Sequence, residues 1–213
     1  MTGFRAPRPG SGPPGPARPA GPPAEPRSPW TPGSGHAPPS LSERLFEQRI
    51  VLLHGHLDDE AATTAAARLL TLDALGDEPV TLRLNVPTSE ASAALALLDA
   101  LDSMVCPVYV TAMGQVGGPV IGALVAVRER LAHPHATFHL REPKLHAEGT
   151  AEQVMAEHEE YERRMGDVCA RIAEATGRPA GEIRADFHTG RYLTATQAID
   201  YGLVTALVTP PAR

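Results

Sequence analysis

Aromatic residues make up only 4% of the 213-residue chain, so alanine, leucine and valine must fill its core. There are two cysteines, Cys106 and Cys169, far apart and without CxxC spacing. That excludes a disulfide framework and a thiolate zinc site, and predicts two buried thiols in a reducing compartment. No apolar run reaches membrane-spanning length, and the N-terminus has no signal-peptide core, so a soluble, cytoplasmic protein is expected. No dense Lys/Arg block stands outside the N-terminal stretch, and the formal net charge is -6, which argues against nucleic acid as the main partner.

Proline and glycine are concentrated in one place. Residues 1–40 hold 13 Pro and 7 Gly, half of the stretch, and cannot bury enough apolar surface to offset chain entropy. A disordered or polyproline-like tail is expected there, either a plain flexible extension or a docking tail with Trp30 as its anchor. From residue 41 to 213 the pattern changes to strands alternating with helices. "RIVLLHG" reads as a buried strand, Asp58 and Asp59 as caps of the helix that follows, and Gly76 as its end. "PVTLRLN", "CPVYVTA", "ATFHL" and "LVTALV" read as further strands. "SEASAALALLDALDSM", "PVIGALVAVRERL", "AGEIRAD" and "TATQAID" read as helices. Short connections between these units predict a mostly parallel α/β sheet with crossover helices. The longest helix is expected over about 150–176, ended by Gly177. Val154, Tyr161 and Val168 recur along it at seven residues, interleaved with His158, Met165 and Ile172. That is a narrow seam suited to packing against another helix, of this or another subunit.

The glycine corner "GQVGGPVIGAL" (114–124) lies between a strand and a helix, where a nucleophile or a phosphate often sits. It contains no serine, cysteine or lysine. It is no phosphate loop, since the Lys-Ser/Thr pair is missing and proline removes a donor. The pairs His54/His56 and His133/His135 have no carboxylate or cysteine that completes a metal set, so no metal and no cofactor are expected.

These segments resemble the proteolytic subunit of the Clp ATP-dependent protease, the ClpP family, over about 41–208. "RIVLLHGHLDDEAA" is similar to the family's RIIFLGxxIDDxxA, "LRLNVPTSEASAALALLDAL" to YINSPGGSVxxGxxIYDTM, and "CPVYVTAMGQVGGPVIGAL" to VxTxxxGQAASMGAxL. Pro134 and Pro143 flank "HATFHLRE" where the family reads PNSRxMIHQP. "EATGRPAGEIRADFHTGRYLTATQAIDYGLVTAL" follows HTGQxxExIxxDxxRDxFxSAxEAxxYGLID, the most specific of the matches. The resemblance implies a ClpP/crotonase-like spiral of strand–helix units with a protruding "handle" helix at 150–176. It also implies a serine peptidase with a Ser, His, Asp triad.

Carried over one by one, the family's nucleophilic serine falls on Gly118, its histidine on Arg141 and its aspartate on Asp186. Glycine has no oxygen to attack a carbonyl. Guanidinium stays protonated and is no general base near neutrality. The family's oxyanion donors fall on Ser89, within Thr88-Ser89 in place of Gly-Gly, and on Pro119, which has no N–H. The resemblance therefore points to a degenerate site, with an Arg141–Asp186 ion pair expected to plug it. The neighbouring Ser89, Ser92 and Ser103 lie on no strand-to-helix corner, and His139, on the face of Arg141, is a base without a nucleophile. The family assembles as stacked seven-membered rings, which implies partners: active ClpP-type paralogues in a mixed ring, or copies of this chain. Docking of a Clp ATPase is not carried over, because only the Pro-rich stretch precedes "LSERLFEQRI". Three functions follow: an inactive regulatory ring member, a stand-alone scaffold homo-oligomer, or an active serine-type endopeptidase as the family label implies.

Overall fold

The computed structural model describes residues 41–144 and 148–209, so the Pro-rich stretch 1–40 and Trp30 lie outside the described residues. Leu41–Glu47 forms α1 and Ile50–Leu57 forms β1. Two strand–helix units follow: α2 (Asp59–Ala74) leads to β2 (Val80–Ser89), and α3 (Ala91–Ser103) to β3 (Val108–Ala112). Then come β4 (Gln115–Gly117), α4 (Val120–Leu124), β5 (Glu129–Ala132) and β6 (Thr137–Leu140). The chain closes with α5 (Ala151–Thr176), α6 (Ala180–Thr189), β7 (Arg191–Thr194), α7 (Ala195–Tyr201) and β8 (Ala206–Leu207).

The architecture is α/β, as expected. Five strands form a sheet in the order β1-β2-β3-β5-β8, with every pair parallel. A second sheet has the order β4-β6-β7, with β4 parallel and β7 antiparallel to β6. Capping follows the residues. The Asp58 carboxylate accepts the Ala61 N–H at 2.9 Å at the start of α2, and Thr150 and Gln153 form a reciprocal box at the start of α5. Gly177 ends α5 in the left-handed region.

Small residues set the packing. Helix α3 buries Ala91, Ala93, Ala94, Leu97, Leu98, Ala100 and Leu101 on one broad face, because it packs against α2, α4 and α5 together. Each buried leucine contributes about 1.5–3 kcal/mol, and alanines between them let the helices approach without aromatic filler. Both cysteines are free and buried, and burial pushes their thiol pKa values up.

Two expectations need correction. The helix read over "PVIGALVAVRERL" stops at Leu124, and Glu129–Ala132 is instead strand β5. That segment pairs with β3 on one side and β8 on the other, so a central ladder position outweighs its helical periodicity. The last strand covers only Ala206–Leu207 of "LVTALV". The seam of α5 divides in two. Met165, Val168 and Ile172 are buried against α5's own unit, while Val154 and Tyr161 are half-buried and His158 is exposed. Among the described residues no helix is long and apolar enough to cross a membrane, and no cluster of three or more His, Cys, Asp or Glu is placed to hold a metal ion.

Candidate active site

The glycine corner is built where β2 ends facing the turn from β4 into α4. Gly118 sits in the left-handed region (φ +80°) and donates its N–H to the His139 carbonyl at 2.9 Å, which fastens the corner to β6. Opposite it lies Ser89, only 2% exposed, which ends β2 just before α3 and so does stand at a strand-to-helix corner, contrary to expectation. Its hydroxyl donates to the Gly117 carbonyl at 3.1 Å and accepts the Val120 N–H at 2.9 Å. Pro119 occupies the N-cap of α4 and offers no N–H of its own.

Strand β6 carries the next two residues. His139 pairs in register with Gly117, and Arg141 follows just past the strand's end. Beside Arg141, the Glu142 N–H donates to the Phe187 carbonyl at 3.2 Å and draws in the helix that bears Asp186. The fold thus brings the elements bearing Gly118, Arg141 and Asp186 together. It does not pair the last two. Asp186 accepts two contacts from Arg191 Nη1, at 3.1 and 3.0 Å, and a third from the Tyr201 hydroxyl at 2.7 Å. Arg141 makes no hydrogen bond or ion pair with any described residue. The expected Arg141–Asp186 plug is therefore wrong, because β7 delivers a nearer guanidinium and α7 a buried hydroxyl to the same carboxylate. Burial, and then the bond to Asp186, pushes the Tyr201 pKa well up, and its ring lies under the Arg178 guanidinium at 4.1 Å.

Residues 35–211 match the Clp protease family across most of the chain's length. The chain belongs to the Clp protease family. It is 31% identical over 179 residues to ATP-dependent Clp protease proteolytic subunit 2 of Rhodococcus jostii (strain RHA1), covering 82% of this chain and 91% of that protein. It is 30% identical over 175 residues to proteolytic subunit 1 of Corynebacterium jeikeium (strain K411), covering 80% and 92%. Subunit 1 of Mycobacterium tuberculosis (strain ATCC 25618 / H37Rv) is 30% identical over 173 residues, covering 80% and 86%.

Two further features surround the corner of this Clp-family chain. His139 is buried and stacks on Tyr192 with ring centres 3.7 Å apart. Its Nδ1 has no partner among the described residues. Burial first, and the Arg141 charge second, hold its imidazole pKa below the usual histidine range, against a backbone hydrogen bond with Gly190. A cavity of about 560 Å³ opens beside the start of α3, lined by Glu90, Ser92, Pro143, Lys144, Tyr161 and Arg164 among others. Burial and the nearby Glu142 push the Tyr161 hydroxyl up to about 12. Sequence reasoning missed Arg191, Tyr192 and Tyr201. The roles of Arg191 and Tyr192 depend on the antiparallel β6–β7 register, which "TGRYLT" alone leaves open, and that of Tyr201 on where α7 packs.

Proposed function

We propose that this chain is a non-hydrolytic Clp-family subunit, which joins rings with catalytically competent relatives and tunes or limits their activity. One observation carries the reading: the Gly118-Pro119 corner has neither a side-chain nucleophile nor a proline N–H to serve an oxyanion. Loss of one oxyanion donor costs about 10²–10³-fold in rate, and enzymes stripped of their triad rely on that same hole for residual activity. Arg141 in place of a base and Ser89 in place of a glycine support the same conclusion. Asp186, the third position, serves as an acceptor for Arg191 and Tyr201, and carries no proton chemistry in this reading. A cytoplasmic location, an oligomeric state and a place in protein quality control belong to the proposal.

The test combines assembly with activity. The tagged chain is purified from its own host and examined by native mass spectrometry, and the recombinant chain alone is assayed on fluorogenic peptides. Mixed rings with a relative that bears a serine at the corner, and no hydrolysis by the chain alone, are expected. A pure homo-oligomer replaces the regulatory role with that of a stand-alone scaffold. Hydrolysis by the isolated chain that a serine-reactive inhibitor abolishes overturns the proposal.

A further inference from the structure

The corner differs from the family pattern at two facing positions, and the two differences are complementary. Where the pattern has glycine on the β2 loop and serine on the corner, this chain has Ser89 and Gly118. A Cβ built on Gly118 would stand 2.9 Å from Ser89 Oγ, closer than an unadjusted side chain tolerates, and in contact at 3.4 Å with the Ser89 backbone N and O. The Ser89 hydroxyl is also engaged as both donor and acceptor, since it donates to the Gly117 carbonyl and accepts the first N–H that α4 offers after the proline.

We propose that Ser89 is an internal occupant of the emptied corner. Its hydroxyl fills the space that a side chain at position 118 would need, and it binds the one N–H at the head of α4 that a substrate carbonyl could otherwise reach. The two positions thus form one coupled unit: a side chain fits at 118 only when the side chain at 89 is removed. The corner is closed from within, and its shape is kept without substrate. This rests on reading Gly118 as the former nucleophile position.

The test is a double-mutant cycle on the full-length chain, read by thermal unfolding and not by hydrolysis. Ser89→Gly and Gly118→Ser are each expected to lower the Tm by about 4 °C or more. Combined, they should cost about half of the summed loss, because relieving the clash leaves the positive-φ strain at 118 in place. Additive losses overturn the coupling. If Gly118→Ser does not fold, Ser89→Ala alone decides by hydrogen exchange of the Val120 amide. A loss of protection of about 10-fold is expected for a freed amide with roughly 1.4 kcal/mol less opening cost, and unchanged protection overturns the proposal. Since neither readout is activity, an active chain would sink the functional proposal while leaving this coupling to its own result.

Discussion

The corner at Ser89–Gly118 and the cluster around Asp186 are held together by different physics. At the corner, a glycine faces a small hydroxyl whose partners are backbone groups. At Asp186 the carboxylate remains, with a guanidinium from β7 and a hydroxyl from α7 bound to it. A serine whose only work is to attack leaves little behind when it is replaced, because a neighbour can fill the gap. A carboxylate that satisfies a buried phenol cannot leave so easily: its loss strands a polar group in a dry site. The comparison separates residues kept for chemistry from residues kept for folding.

The largest effect that tests this contrast is catalytic. Gly118→Ser with Arg141→His is expected to hydrolyse no fluorogenic peptide above buffer, since Pro119 still denies the oxyanion a donor. Adding Ser89→Gly and Pro119→Ala should raise the rate by about 10²-fold over the double variant. Equal rates in the two variants would show that neither the Ser89 side chain nor the missing donor sets the limit. The next effect is on stability. Asp186→Ala should cost about 2 kcal/mol in urea unfolding, chiefly from the stranded Tyr201 hydroxyl, with no change in any hydrolysis. Adding Tyr201→Phe should recover part of that loss, and a cost near zero would place Asp186 with the dispensable residues.

Smaller still is the pH dependence set by His139. Its folded-state pKa lies below the unfolded value of about 6.5, so below that pH the unfolded chain binds the extra proton. Stability is therefore full above about pH 6.5 and falls as the pH drops below it. Urea midpoints measured from pH 7.5 to 5 should show this slope, and His139→Phe should flatten it. The least effect is expected on the outside of α5. Arg163 and Arg164 hold the exposed Glu160 carboxyl down to about 2, so the pair's contribution is present above the usual carboxylate range and is lost as pH falls through about 2. At neutral pH and high salt, Glu160→Gln should leave the Tm within error, as screening leaves little in exposed ion pairs.

Much of this molecule follows from local chemistry. Alternating apolar runs mark β1, β2 and β3, Asp58 and Thr150 announce helix starts, and Gly177 announces a helix end. Each of these signals acts within a few residues, so they are legible without knowing what lies across the core. The identities at 89, 118, 119 and 141 are equally plain in the chain, and with them the absence of a serine at the corner. Partnerships between distant segments are another matter. That Arg130 and its neighbours form a strand depends on an open slot between β3 and β8. Arg191 claims Asp186 because antiparallel pairing sets it opposite Leu140, leaving Arg141 unpaired beside it. Ser89 reaches Gly117 and Val120 across 28 and 31 residues of chain. The sequence by itself determined the elements and the residue identities at the corner. Only the tertiary structure decided which group fills each vacancy, because that choice is made by through-space distance in a close-packed interior.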